Sequence, residues 1–462
     1  MALLIARSPV MGAARTVLLL AALLLLQGCV RLTLAWAPNT PQGEAAAPPV
    51  LEGIETMAAW EQRRSLIKEV LQREIYGFLP ADQRTEVVAH RMADEDAMDG
   101  IGRYEEFDML VTPLFDGAAA PEPVPLTMTV VSPQDAEGPV PVIMTETFCP
   151  RTSAISPPNV PGEGDEMPGM VRYVFGRYIC EPPLDMILEA GFALAMVAAT
   201  DVVPDQDEAG LEALTRLSGK DEDDPARWGA IAAWGWVFSR MADVLSDEPR
   251  FDRERLFSYG HSRYGKAALF AAAFDERIAA AIGHQSGTGG ASLNRKKVGE
   301  SIKAITGSFP HWFAPAYRSY AGNAGALTYD QHHLLALIAP RPVLLGNARR
   351  DVWSDPNGAF KAARGAAPVY GLYGMPVPKL ERLDTFRPDD PLSFWMRPGT
   401  HGVVEEDWPA FLAFLKAHFA PEDRRAKLPI SEGFPPYRDG SLGVSGDLRV
   451  GATGGERLTH GR

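Results

Sequence analysis

The segment Gly260-His261-Ser262-Arg263-Tyr264-Gly265-Lys266 has the residue types for nucleophilic chemistry. A serine hydroxyl is a weak nucleophile at neutral pH and needs a base, which an acid must hold in turn. Here an apolar strand pattern, Arg255 to Tyr259, runs through a Gly-x-Ser turn straight into an Ala-rich helical stretch ending at Phe274. Strand, sharp turn and helix are the setting of a nucleophile elbow, which lifts the hydroxyl clear of a sheet. The helix start behind the serine offers N–H groups and a positive dipole end to a developing oxyanion. The pattern departs from the simple G-x-S-x-G form, because Tyr264 stands where the second glycine belongs and Gly265 follows it. A capping serine in an ordinary βα turn fits the same local pattern. The distinction rests on what comes later in the chain.

In an α/β-hydrolase the acid and the histidine follow the serine in that order. Only His401, His418 and His460 lie beyond the region where the acid belongs. His418 falls inside an amphipathic helical stretch and His460 in the C-terminal tail. His401, in Arg397-Pro-Gly-Thr-His-Gly402, sits in a loop between a predicted strand and a predicted helix, where a base belongs. The acid should follow the strand Pro342 to Gly346. Asp351 comes shortly after it, with Asp355 as a rival. Asp355 precedes a proline that opens a helix, the pattern of an N-cap, so Asp351 is preferred.

Other chemistries find little support. The chain of 462 residues has a net charge of −14, the opposite of the concentrated basic face that nucleic-acid binding needs. No metal or other cofactor is expected. His332 and His333 are adjacent and face apart on a helix, and no histidine pair at i, i+4 has a carboxylate beside it. Cys149 and Cys180 lack CxxC spacing, and sequence leaves open whether they pair or are simply buried.

The elements that must position these residues alternate. Strand-like runs at 126–131, 140–144, 192–197, 255–259, 278–283, 342–346 and 392–396 are separated by helical patterns. The helices fall near 57–76, 184–189, 226–245, 264–274, 330–337, 357–364 and 405–419. This predicts one α/β domain with a mostly parallel central sheet covered by helices on both faces, a three-layer sandwich of the α/β-hydrolase kind. Its bounds are read as 51–420. Residues 1–29 read as an export signal, with Arg7 and Arg15 before the apolar run Val17 to Leu26, which is too short for a membrane span. Leu26-Gln27-Gly28-Cys29 is similar to a bacterial lipoprotein box, making Cys29 the lipidation site; Val30 behind it favours the outer membrane. An ordinary secretory signal is the alternative. Residues 30–50 read as a Pro/Ala-rich tether, and 421–462 as a disordered tail. The expected product is an exported monomer of the outer membrane or periplasm, touching the membrane only through its lipid anchor, or secreted if that anchor is not used.

The serine segment also resembles the G-x-S-R-x-G-K motif of the glucuronoyl esterases, carbohydrate esterase family 15. The likeness extends over Arg63-Arg64, Glu74-Ile75-Tyr76-Gly77, Phe148-Cys149-Pro150, Trp228 to Trp234 and Ser286 to Gly290. It continues through Tyr329 to Pro342, Asp351 to Pro356 and His401-Gly402, essentially the whole predicted domain. The resemblance implies Ser262 as nucleophile, His401 as base and Arg263 as a cationic aid to the oxyanion. It also implies Lys266 as a partner of sugar hydroxyls and Trp353 as a wall of the sugar site. Many members, the fungal ones especially, place a glutamate acid where this chain has Gln285. The resemblance is therefore to bacterial members that draw the acid from the later loop, which leaves that role to Asp351.

The activity so implied is hydrolysis of uronic acid esters, such as 4-O-methyl-glucuronate on xylan, through an acyl-enzyme. The substrate is a small-molecule or polysaccharide ester. An esterase acting on acetyl or other small acyl groups is the alternative, and a catalytically silent binding lipoprotein a more distant one.

Overall fold

The computed structural model describes residues 36–155, 169–295 and 298–420. The export signal, Cys29 and the tail from 421 lie outside these residues. Nine strands form one sheet: β1 (Asp82–Asp96), β2 (Gly102–Leu114), β3 (Val124–Pro133), β4 (Val140–Glu146), β5 (Ala193–Val197), β6 (Phe251–His261), β7 (Ile278–His284), β8 (Val343–Ala348) and β9 (Leu392–Arg397). Their spatial order is β1-β2-β3-β5-β4-β6-β7-β8-β9. The first three strands join the sheet antiparallel. From β5 to β9 every pairing is parallel.

The longer helices among the described residues are α1 (Met57–Leu71), α2 (Asp207–Ser218), α3 (Ala230–Asp247), α4 (Ser262–Phe274), α5 (Gln331–Ile338), α6 (Pro356–Ala366) and α7 (Asp407–Phe419). Strands β5, β7 and β8 are buried along almost their whole length because both faces are covered. Along β8, Val343 and Leu345 enter the core shared with α1, α3, α4, α5 and α6. Leu344, between them, points to the second core, built around Trp408, Phe411 and Leu415 of α7. The two-residue period of a strand is what divides the side chains between the two cores. This is the three-layer architecture expected of the α/β-hydrolase fold.

The alternating pattern located β3 to β9 but not the two strands before them. β1 has the sequence Asp-Gln-Arg-Thr-Glu-Val-Val-Ala-His-Arg-Met-Ala-Asp-Glu-Asp and pairs only with β2. As an edge strand it is polar along much of its length, so a search for apolar runs passes over it. Cross-strand charge holds it instead, with Arg91 bridging Glu106 and Asp108 of β2.

The stretch 36–50, read from composition as a tether, lies along the domain where described. Ala37 N donates to Arg349 O at 2.7 Å, and Leu383 N donates to Asn39 O at 2.8 Å. The His332 Nε2 atom lies 2.7 Å from Pro48 O, and Val50 is buried.

Cys149 and Cys180 are joined in a disulfide with their Cα atoms 5.6 Å apart. It ties the turn after β4 to the segment leading into the short helix Leu184–Glu189. With the cysteines separated by 31 positions, loop-closure entropy predicts a contribution of about 3–4 kcal/mol. The Cys149→Ser/Cys180→Ser variant should lose that much unfolding free energy in a urea titration. An unchanged midpoint and slope would rule out a stabilising crosslink.

Candidate active site

Strands β4 to β9 all run the same way, and the candidate residues gather where those strands end. This is the edge at which open α/β sheets place their ligands. Ser262 follows β6 directly, Gln285 follows β7, Asp351 lies three residues past β8, and His401 four past β9.

Ser262 is the first residue of α4 and has φ +54°. A non-glycine residue held there costs on the order of 1–3 kcal/mol, and such strain persists where the surroundings enforce it. The enforcement is visible in the neighbouring glycines. A Cβ on Gly260 would lie 2.1 Å from Tyr264 O, and one on Gly265 would lie 2.9 Å from Gly260 O and 3.0 Å from His284 O. This explains the imperfect motif. Position 265 needs the glycine because the helix meets the strands there. Tyr264 is instead buried, its ring 4.6 Å from Phe148 and 5.4 Å from Trp234.

His401 Nδ1 lies 2.7 Å from Asp351 Oδ2. Burial alone would raise the Asp351 carboxyl, but His401 and the hydrogen bonds from Ser354 hold it below the ordinary aspartate range. Its stabilising contribution is therefore present above the unfolded aspartate value of about 3.9 and is lost as pH falls through the lower folded value. Asp355, the rival, has φ +53° and caps α6 by accepting from Gly358 N at 3.0 Å. The ring of His261, the residue before the serine, is 4.6 Å from that of His401. Asp351, His401 and the serine turn thus meet at one place.

Gln285, standing where many members have the glutamate acid, bonds to backbone on either side of His401. Its Oε1 accepts from Gly402 N at 2.8 Å and its Nε2 donates to Thr400 O at 3.4 Å. The amide clamps the backbone on both sides of His401, using a donor and an acceptor at once; a carboxylate could not supply the donor. Gln285 also has positive φ, +49°. Of the four non-glycine residues with positive φ among the described residues, three are Ser262, Gln285 and Asp355. Backbone strain is concentrated at this edge.

Arg263 lies against two rings, its guanidinium carbon 5.2 Å from the centre of Phe148 and 5.4 Å from that of Trp312. Asp205 pairs with its Nη1. The other Asp205 oxygen accepts from Trp312 Nε1 at 2.8 Å and lies 3.0 Å from His311 Nε2. Burial pushes His311 down to about 4, although Asp207 pulls the other way, so it is neutral near pH 7. Two aromatic contacts and one carboxylate thus hold the guanidinium in place. Lys266 is buried in α4, and its ammonium donates to Ser286 O at 2.5 Å and Thr288 O at 2.8 Å. It is tied to the turn behind β7 and is not a solvated helix-face lysine. Trp353 stands two residues beyond Asp351 and is 53% exposed. Sequence reasoning missed Asp205; its signal was a carboxylate shortly past a fully buried strand end.

Among the described residues no group of three or more His, Cys, Asp or Glu side chains is placed to hold a metal ion. No helix among them is long and apolar enough to cross a membrane.

A nine-stranded sheet with its serine on a strained turn, and histidine and aspartate on the loops behind later strands, defines the α/β-hydrolase fold. Residues 164–374 match the family model described as glucuronyl esterase, fungi. Carbohydrate esterase MZ0003, from an unknown prokaryotic organism, is 35% identical over 244 residues, which is 51% of this chain and 55% of that protein. The 4-O-methyl-glucuronoyl methylesterase 1 of Wolfiporia cocos is 31% identical over 197 residues, 40% of this chain and 47% of that one. The chain thus spans about half the length of these curated relatives. The solved glucuronoyl esterase from Solibacter usitatus is 30% identical with a TM-score of 0.66, covering 82% of this chain and 99% of that chain. The chain belongs to the glucuronoyl esterases of carbohydrate esterase family 15.

Two substitutions separate the loop residues. Asp351→Asn should lower kcat by about 10³–10⁴ through loss of the charge behind His401. Gln285→Ala should cost only about tenfold, since it loosens the loop without removing that charge. The reverse ranking in steady-state kinetics would move the acid to the Gln285 position. At the guanidinium, Arg263→Gln should lower kcat by about 10²–10³. Asp205→Asn should cost about tenfold, because the two rings still hold Arg263 in place. Equal losses from the two would make Asp205 more than a support.

Proposed function

We propose that the chain is a serine esterase that hydrolyses uronic acid esters, of which 4-O-methyl-glucuronoyl esters of xylan are the expected class. The observation that carries this reading is the 2.7 Å contact between His401 Nδ1 and Asp351 Oδ2 beside a serine on a strained elbow. The family membership supplies the acyl group, and the names of the relatives carry the same substrate word.

In this reading Ser262 Oγ attacks the ester carbonyl carbon while His401 Nε2 takes the serine proton. Asp351 holds the Nδ1–H and balances the imidazolium that forms. Negative charge gathers on the carbonyl oxygen, and Arg263 and the N-terminal N–H groups of α4 meet it. The alcohol leaves with the proton from His401, forming a Ser262 acyl ester. Water, deprotonated by His401, attacks that ester and releases the uronic acid and the free serine. Lys266 and Trp353 bind the sugar, the first as a fixed buried cation and the second as an exposed aromatic face. A purely lipidic acyl group is disfavoured, since it would set hydrocarbon against the partly exposed Arg263 guanidinium.

We further read the protein as exported, with Cys29 as its lipid-bearing first residue in the outer membrane. The basic and apolar residues of 1–28 support export. The Cys149–Cys180 disulfide suits an oxidising compartment. The mature chain then carries one esterase domain and acts as a monomer.

The test is the purified chain against methyl glucuronate ester, acetylated xylan and 4-nitrophenyl acetate, each beside Ser262→Ala. Turnover of the uronate ester with loss of at least about 10³-fold in Ser262→Ala is expected. Turnover of the acetyl esters alone would replace the acyl group in this reading. Full activity in Ser262→Ala would end it.

A further inference from the structure

His261 and His284 close the neighbouring parallel strands β6 and β7 side by side, with their Nδ1 atoms 3.1 Å apart. His284 turns its Nε2 toward Asp407 Oδ1, at 3.4 Å. Asp407, the first residue of α7, takes Arg397 Nε at 2.9 Å on each oxygen and accepts from Trp395 Nε1 at 3.2 Å and Val404 N at 3.0 Å. Arg397 then returns to the candidate base. Its Nη2 donates to Thr400 O at 3.1 Å and Gly402 O at 2.8 Å, the carbonyls flanking His401. The circuit closes at His261, whose ring lies 4.6 Å from that of His401 at an angle of 46°. His261, His284, Asp407 and Arg397 are each no more than 3% exposed. None of the four takes part in the bond-making chemistry of Ser262, His401 and Asp351.

The proton positions follow from the anion in the circuit. Burial alone would raise the Asp407 carboxyl, but His284, Arg397 and the Val404 N–H hold it low. A carboxylate facing His284 Nε2 calls for a proton on that nitrogen, which leaves a lone pair on His284 Nδ1. His261 must then donate from its own Nδ1, and its Nε2 keeps a lone pair. Burial, with His401, His284 and Arg397 around it, pushes His261 well below the ordinary histidine range. Other groups face it too. Glu146 of β4 and Tyr259 line a small cavity with His261, and burial holds the Glu146 carboxyl well above the ordinary range. Asp351 is bonded to His401, the ring against His261. Room for the His284 ring comes from Gly346 of β8, where a Cβ would fall 2.7 Å from His284 Cδ2.

We propose that His261, His284, Asp407 and Arg397 form a buried relay of positioning residues that fixes the base loop and keeps the imidazole against His401 uncharged. His401 alone then takes the serine proton, and its imidazolium meets a neutral ring at close range and not a second cation. The proposal rests on reading Ser262 and His401 as nucleophile and base.

Nitrogen-15 histidine NMR of the whole chain tests the protonation directly. His261 should show the neutral Nδ1–H tautomer throughout about pH 5 to 8. Kinetics on the methyl glucuronate ester test the positioning. Asp407→Asn should lower kcat on the order of tenfold or more with KM within about twofold. It should also move the acid limb of the kcat profile to lower pH, because Arg397 loses its counter-charge beside His401. Gly346→Ala, which crowds His284 without altering charge, should lower kcat and leave the limb in place. Titration of His261 in that range, or a proton on its Nε2, would overturn the proposal. So would wild-type kcat and pH profile in both variants. Should circular dichroism show Asp407→Asn unfolded, the NMR result and Gly346→Ala decide. Activity surviving in Ser262→Ala would sink the catalytic reading alone, since the His261 tautomer is read without turnover.

Discussion

The bond between His401 Nδ1 and Asp351 Oδ2 is the constraint on which this edge of the molecule depends. A carboxylate that is 4% exposed is costly to bury unless partners satisfy it, and an imidazole gains basicity and direction only while that carboxylate is there. The two residues are 50 positions apart in the chain, so the contact exists only because β8 and β9 run parallel in a fixed register. That ladder does not stop where the strands do. Ala348 pairs with Arg397, and Arg349 N and Arg350 N continue the pairing to Arg397 O and Gly399 O. Backbone hydrogen bonds thus reach almost to both partners of the pair.

Each catalytic candidate is held from two directions. Gln285 behind β7 and Arg397 at the end of β9 hold the carbonyls and the amide around His401. Asp205 pairs with Arg263 while Phe148 and Trp312 lie against it. Ser262 is fixed by the close approach of Gly260 and Gly265 to the backbone around it. A backbone strained at three neighbouring loops is sustained by this redundancy, as expected where packing over-determines a conformation.

Much of this was legible in the sequence. Apolar runs located β3 to β9, the parallel ones among them because such strands are covered on both faces, and the serine turn was legible from a strand meeting an Ala-rich helix. The order serine, aspartate, histidine narrowed nine histidines to His401, and the proline after Asp355 marked that residue as a cap. What escaped was polar or buried. β1 carries edge-strand polarity and gave no apolar signal. Lys266, singled out only through the family resemblance, is buried against carbonyls. His261, His284, Asp205 and Asp407 each looked like one more polar residue at the end of an element.

The sequence by itself determined the alternation of elements, the elbow and the order in which its partners follow, since these depend on local hydrophobic period and turn chemistry. Only the tertiary structure decided what each polar group faces. The roles of Gln285 as a clamp, Asp205 as a support and Asp407 as the centre of a histidine circuit depend on pairings between strands and loops far apart in the chain. Hydrogen-bond partners over such separations are set by register and helix docking, which no local pattern encodes.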